Sequence, residues 1–370
     1  MDDETGRAER RADETRAQIK LAQAAAFFRM KSTLINLFKI LVTLALLAFI
    51  LTRVDLQLVA NIIARANVPL LLLATGMYFF AIFLGAVKWQ ILVRAQAIDA
   101  SLGDLLAFTL MALFFGNVLP SNIGGDVIRA YDLARVTKGR AEAAAISVVV
   151  DRLMGLFAFF AAAVVTAALA TMMLSQAQEL EQIETATVIA ASAFVALCAM
   201  LFSRRFAKRI AVLFEIGPAK RLQPIARNMY RALQVYRFRY RALALNVLLS
   251  MAIVVVTAGV WYVVGHAVGI TDVSFFAYLL FNPLIAFVLL IPISFNGLGP
   301  KEAAVVFFFG LVGVPNANAL AMSLLFHVIV VVTSLPGGFV WFVKRHRAHA
   351  HEYDAAEMLQ PAPISSDSTQ

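Results

Sequence analysis

Charge is scarce in this sequence: only 15% of its 370 residues are Asp, Glu, Lys or Arg, against 61% hydrophobic, and the mean hydropathy is +0.80. A soluble domain of this size could not hide so much apolar surface, because many of its residues must face water. Cysteine is reduced to Cys198, inside an apolar run, so disulfides have no part in the fold. There is no Walker-type phosphate loop, no Ser/His/Asp order and no dinucleotide fingerprint. ATP-driven pumping by this chain alone is therefore not expected. No cofactor is implied. His346, His349 and His351 have no acidic or cysteine partner at ligand spacing, so a metal site is not expected there.

What the chain does have is repeated apolar runs of a length that crosses a hydrocarbon core of about 30 Å. Six crossings are read at 34–52, 68–93, 143–174, 186–203, 242–265 and 318–343. The first 33 residues carry both signs of charge (Asp2, Asp3, Glu4, Arg7) and do not resemble a cleaved signal peptide, so the first apolar run is expected to stay as a helix.

Basic residues orient the chain. Between Arg204 and Arg241 stand eleven Lys/Arg against one acid, Glu215, which accounts for the net charge of +9. That stretch reads as a cytoplasmic loop on an anionic membrane surface, not as a nucleic-acid site. The opposite loops carry only Glu179, Glu181 and Glu184, or only Asp272. Both termini are therefore expected in the cytoplasm and the protein in the plasma (inner) membrane. The domain reading is a charged segment 1–33, a transmembrane body 34–343 (halves 34–174 and 186–343 around the basic loop 204–241) and a disordered tail 344–370.

Two apolar stretches do not fit as simple crossings. Residues 105–134 are broken by Asn117-Val118-Leu119-Pro120-Ser121-Asn122-Ile123-Gly124-Gly125-Asp126, and 274–313 by Pro292 to Pro300. Each reads as a hairpin of two half-helices that enters the membrane and returns, since irregular backbone at that depth needs protein or a water-filled cavity around it. The expected fold is thus all-α and polytopic, with six full crossings and two re-entrant hairpins in an inverted-topology repeat. Two amphipathic segments complete it. The stripe Leu222, Ile225, Met229, Leu233, Tyr236 and Tyr240 predicts a helix on the inner leaflet, and Val59, Ile62, Ile63 and Ala66 a weaker one outside.

Gly124 and Gly125 permit a turn, Asp126 is placed to cap the half-helix, and Arg129 follows one turn later. Free N–H groups at that helix start, with Arg129 beside them, make a seat for a phosphate. Alternatively Asp126 and Arg129 neutralise each other across i,i+3. In the second hairpin Gly297 and Gly299 turn the chain, Pro300 suits the first helical position, and Lys301 and Glu302 fill the first turn, either as a second cation seat or as a local pair. Asp151, Arg152 and His327 lie within crossings, where charge is costly: site residues, an interfacial pair and a satisfied core histidine are the open readings.

The runs Asn117–Arg135, Asp151–Leu156 and Asn296–Gly313, with Lys88–Arg94, resemble the lysylphosphatidylglycerol synthase transmembrane-region family over roughly 34–343. The resemblance implies a lipid translocase of the flippase kind, for aminoacylated phosphatidylglycerol or for polyprenyl-linked and related lipids; with the two cation seats, the expected cargo is an anionic phospholipid or a polyprenyl-linked lipid. Its implied site residues are Pro120, Gly124, Gly125, Asp126, Arg129, Asp151, Arg152, Gly297, Gly299 and Glu302; the hairpin residues Asn117, Ser121, Asn296 and Lys301, and His327, join them on position. Asp151 stands where the family usually has Glu, and Lys301 where it usually has Arg. No synthase domain is read in this sequence, so a transporter is expected here and not an enzyme that makes lysyl-lipid. A lipid-phosphate transferase using Asp126, Asp151 or Glu302 as base, and a non-catalytic scaffold, remain as alternatives. Membrane lipid is the expected partner, with a second copy of the chain or a lipid-synthesis enzyme left open.

Overall fold

The computed structural model describes residues 54–118, 124–137, 140–173, 223–290, 294 and 297–358, with isolated positions between 40 and 52 and at 192. The expected crossings 34–52 and 186–203, the terminal segments 1–33 and 359–370, and Pro120, Ser121 and Asn296 lie outside this description. Among the described residues there are ten α-helices and no strand. They are α1 (Leu56–Ala64), α2 (Val68–Ala95), α3 (Leu102–Val118), α4 (Gly124–Val136), α5 (Ala141–Met173), α6 (Gln223–Tyr236), α7 (Tyr240–Ala267), α8 (Phe275–Leu290), α9 (Pro300–Gly310) and α10 (Asn316–Met358).

Four of these are long and apolar enough to cross a bilayer: α2, α7, Ala141–Thr166 of α5 and Asn316–Lys344 of α10. Their outer faces carry Leu72 (69% exposed), Leu248 and Phe339, a surface that a water-soluble protein would bury and that lipid accepts. Hydroxyls on these helices satisfy themselves internally: Thr75, Thr166, Thr257 and Thr333 donate to the carbonyl four residues back at 2.7–2.8 Å. This is a multi-pass membrane protein.

Local signals set the helix ends. Asp55 Oδ1 accepts from the N–H groups of Gln57 and Leu58, opening α1, and Asn67 Oδ1 accepts from Leu70, opening α2 with Pro69 behind it. At the far end of α2, Arg140 donates to the carbonyls of Gln96 and Ala97, both at 2.7 Å, where free carbonyls and the helix dipole favour a cation.

α2 and α7 pack along their length and run antiparallel. The start of one meets the end of the other through Asn67 N to Ala267 O (3.0 Å), and Asn246 Nδ2 donates to Lys88 O (2.9 Å) at the opposite end. Around them the packing has a twofold logic. α3 lies on α10 and α8 on α5; α4 lies on α5 and α9 on α10; α1 lies on α10 and α6 on α5. Exchanging α1–α5 with α6–α10 turns each of these contacts into another. Trp89 and Trp261 occupy the same position of α2 and α7 counted from the helix start. Each sits in its own hydrophobic cluster, with Leu105, Phe108 and Leu133 in one and Tyr278, Phe281 and Phe309 in the other.

Both short amphipathic helices use protein as well as any membrane surface, which corrects the purely interfacial expectation. Val59 is buried, with Ile62, Ile63 and Ala66 against the second cluster. On α6, Ala232 and Tyr236 are buried: Tyr236 Oη donates to Leu92 O (2.9 Å), and Gln96 Nε2 donates to Ala232 O (2.7 Å). Tyr240, expected in the same stripe, is exposed.

Candidate functional site

A cavity of about 720 Å³ opens where α2–α5 meet α7 and α8. Its walls are largely apolar, with Ile82, Leu113, Leu156, Phe159, Phe287 and Leu289. On one side it holds five charged side chains: Lys88, Asp126, Arg129, Asp151 and Arg152. Asn117, Gly125 and Gly297 also line it, so parts of both expected hairpins reach one space.

The charges pair across helices rather than within them. Arg152 of α5 donates from Nε to Asp126 Oδ2 of α4 at 2.6 Å, and Arg129 of α4 donates from Nη2 to Asp151 Oδ2 of α5 at 3.3 Å. The i,i+3 contact of Arg129 with Asp126 is long, at 3.9 Å. Asp151 is the hub. Its Oδ1 also accepts from Lys88 Nζ (2.8 Å) and Asn246 Nδ2 (3.1 Å), so α2, α4, α5 and α7 converge on one buried carboxylate. Such an acid is tolerated at membrane depth because several donors replace water around it.

Arg129 is held differently. Its guanidinium lies 4.1 Å from the Trp89 ring centroid, a cation–π contact, and the residue is only 8% exposed. Nε of Arg129 is buried and has no hydrogen-bond partner among the described residues. Trp89 is fixed in turn by its Nε1–H to Ser147 Oγ (3.1 Å).

Gly125 lets α4 begin against α3, since a Cβ there would stand 2.5 Å from Ala112 O. Asp126 does not act as the cap expected from the sequence. α4 already runs from Gly124, so Asp126 stands in its first turn with its carboxylate turned to Arg152.

The second glycine motif builds a separate cluster. Gly297 (φ 73°) and Gly299 (φ 88°) take the left-handed conformation that glycine favours. Glu302 Oε2 accepts from Gly299 N (2.7 Å), and Oε1 accepts from Ser323 Oγ (3.3 Å) and meets Lys301 Nζ (3.2 Å). Lys301 and Glu302 are buried as this local pair and do not line the cavity. His327 is half-buried one turn beyond Ser323 on α10 and does not line it either.

Lys88 and Asn246 were not among the sequence-derived candidates. A lysine inside the apolar run 68–93 was the available signal for the first; Asn246 had only the weaker one of an amide in a crossing.

Comparison with known proteins agrees with the motifs. A UPF0104 membrane protein of Methanothermobacter thermautotrophicus is 24% identical over 279 residues, covering 71% of this chain and 82% of the relative. A UPF0104 membrane protein of Methanocaldococcus jannaschii is 26% identical over 133 residues, covering 35% of this chain and 38% of that one. Residues 36–337 match the family described as the lysylphosphatidylglycerol synthase TM region, and the chain belongs to that family.

Proposed function

We propose that this protein is a lipid translocase that carries an anionic head group through the cavity between its two halves. The observation that carries the reading is an apolar cavity that holds five charged side chains, among them Arg129, buried against Trp89. A lipid head group needs such a polar wall, and its chains need the apolar one. In this reading Arg129 receives the phosphate, Asp151 with Lys88 and Asn246 holds the helices in register, and the Asp126–Arg152 pair stands at the more exposed edge, where the Arg152 side chain is 58% exposed.

The twofold packing and the antiparallel α2 and α7 support an inverted-topology repeat, whose broken helices meet at a central site. α3 (17 residues) and α8 (16 residues) would each reach only about 25 Å at the helical rise, short of a full core, which fits re-entrant hairpins. The basic residues favour cytoplasmic termini and the plasma membrane. A lipid-phosphate transferase is less well supported. Both cavity carboxylates already accept from cations, leaving neither placed as a free base.

The test is leaflet-to-leaflet movement of fluorescent anionic lipid in vesicles reconstituted with the full chain. Arg129→Gln should slow transport by about a hundredfold or more while the protein elutes as a folded species, since removing one partner of a buried charged contact costs about 3–5 kcal/mol. Full transport by Arg129→Gln would overturn the assignment of Arg129, and turnover of the lipid instead of movement would favour the transferase.

A further inference from the structure

We infer that Glu302, with Lys301, Ser323 and His327, forms a proton-binding site that couples a proton gradient to movement of the turn between α8 and α9; this goes beyond the translocase reading and rests on it. The cluster lies off the cavity. Glu302 is fully buried and Lys301 is 6% exposed, and both stand on α9 where it packs against α8 and α10. An apolar pair of similar size would fill that space without the cost of taking two charges out of water. What a carboxylate offers in its place is a charge that a proton can cancel.

The geometry ties that charge to the cavity wall. Glu302 Oε2 accepts from Gly299 N (2.7 Å), and the backbone N–H of Lys301 donates to Gly297 O (3.0 Å). Gly297 lines the cavity and leaves no room for a Cβ beside Leu289, another lining residue. The second oxygen of Glu302 joins the same turn to α10 through Ser323 Oγ (3.3 Å) and meets Lys301 Nζ (3.2 Å). A proton on Glu302 removes the charge that holds Lys301 and weakens the charge-assisted bond from Gly299 N, which frees the turn.

The entry for the proton is on α10. His327 is half-buried and follows Ser323 by four residues, so the two share a helix face. Imidazole is the side chain that gains and loses a proton near neutral pH. In the coupling step the imidazolium of His327 gives up its proton and is left neutral, while the carboxylate of Glu302 becomes a carboxylic acid. In the first half, α5 carries Ser147 and Asp151 at the same spacing, both buried. The charged groups that face His327 are Lys301 and Glu302. Other ionisable groups on the neighbouring helices are placed elsewhere. Tyr278 of α8 packs on Phe309 farther along α9, and Tyr78 of α2 meets Phe326. Lys88 is bound to Asp151, Asp104 stands in the first turn of α3, and His266 lies at the end of α7, its Nδ1 3.0 Å from Tyr262 O. α1 carries none.

The experiment uses the full chain in vesicles with fluorescent phosphatidylglycerol or lysyl-phosphatidylglycerol and a pH step of about one unit across the membrane. The step should speed wild-type movement of the carried lipid by up to about tenfold, the factor that one proton crossing it supplies. Collapsing the step with a potassium–proton exchanger should remove the effect. His327→Gln keeps the ion pair, and the double variant Lys301→Met with Glu302→Gln leaves no charge in the cluster. Each should move lipid at one rate with or without the step. A wild-type rate blind to the step, or a response retained by either variant, overturns the inference while leaving translocation standing. If the wild type moves neither lipid, the translocase reading fails, and a cysteine on the cavity wall decides the proton site separately. On a Cys198→Ala background, Ala286→Cys should gain reactivity toward a methanethiosulfonate reagent as the pH falls, measured against the double variant at each pH. A rising ratio upholds the site, and an unchanged one overturns it.

Discussion

Arg152 Nε and Asp126 Oδ2, on different helices, lie 2.6 Å apart, although the tighter spacing along the chain joins Asp126 to Arg129. The neighbouring acid, Asp151, takes Arg129 in exchange at 3.3 Å. The two crossed pairs tie α4 to α5, and they differ sharply in exposure. The Arg152 side chain is 58% exposed, whereas those of Asp151 and Arg129 are 5% and 10% exposed.

That difference predicts unequal losses of stability. Asp126→Asn leaves a partly solvated arginine and should cost about 0.2–1 kcal/mol. Asp151→Asn strands Lys88 and Arg129 in an apolar wall and should cost about 3–5 kcal/mol. Adding Lys88→Met to Asp151→Asn should return part of that loss. Thermal unfolding in one detergent measures all three; equal losses for the two single variants would refute the hub role of Asp151.

Close helix crossings make the second prediction. A Cβ on Gly337 would overlap the Leu110 carbonyl, so Gly337→Ala should force α10 away from α3 at about 1–3 kcal/mol and lower the folded yield. At Gly338 the obstacle is the Phe114 ring at 2.8 Å, which can turn, so Ala there should do less harm. Gly76 has nothing within 4 Å of a Cβ, and Gly76→Ala should be neutral or stabilise by up to about 1 kcal/mol. Size-exclusion profiles and melting temperatures give the ranking.

The attachment of α6 can be divided between protein and lipid. Tyr236→Phe removes the bond to Leu92 O and should cost about 0.5–1.5 kcal/mol in any detergent. Replacing the exposed Arg231, Arg237 and Arg239 with Gln should raise protease cleavage near α6 only in vesicles with anionic lipid, at about 1 kcal/mol per residue. Identical cleavage in neutral and anionic vesicles would leave the protein contacts as the whole attachment.

Topology is open to impermeant thiol labelling on a Cys198→Ala background. Thr271→Cys, in an exposed turn between α7 and α8, should react from outside intact cells. Asn228→Cys, exposed on α6, should react only after the membrane is opened. Thr137→Cys, just past α4, should behave like Asn228→Cys if α3 and α4 enter and return on the same face. Labelling of Thr137→Cys from outside would replace the hairpin with a crossing.

The sequence by itself determined the medium and the main elements. Runs such as 68–93 and 242–265 are apolar on every face, and a helix of that kind is stable only where no side must meet water, so α2 and α7 were legible in one dimension. The glycine motifs were legible too, because the positive φ at Gly297 and Gly299 is a local property of the backbone. Only the tertiary structure decided which charges share a space. Spacing along a helix reports neighbours at i+3 and i+4, but Asp151 gathers Lys88, Arg129 and Asn246 from three other helices. The packing of α9 on α10 likewise joined Glu302 to Ser323 and kept Lys301 beside it, so that neither lines the cavity. Apolar helices place few constraints on their own rotation, so that choice belongs to packing: a Cβ absent at Gly337, a ring on Gly338, one carboxylate meeting three donors.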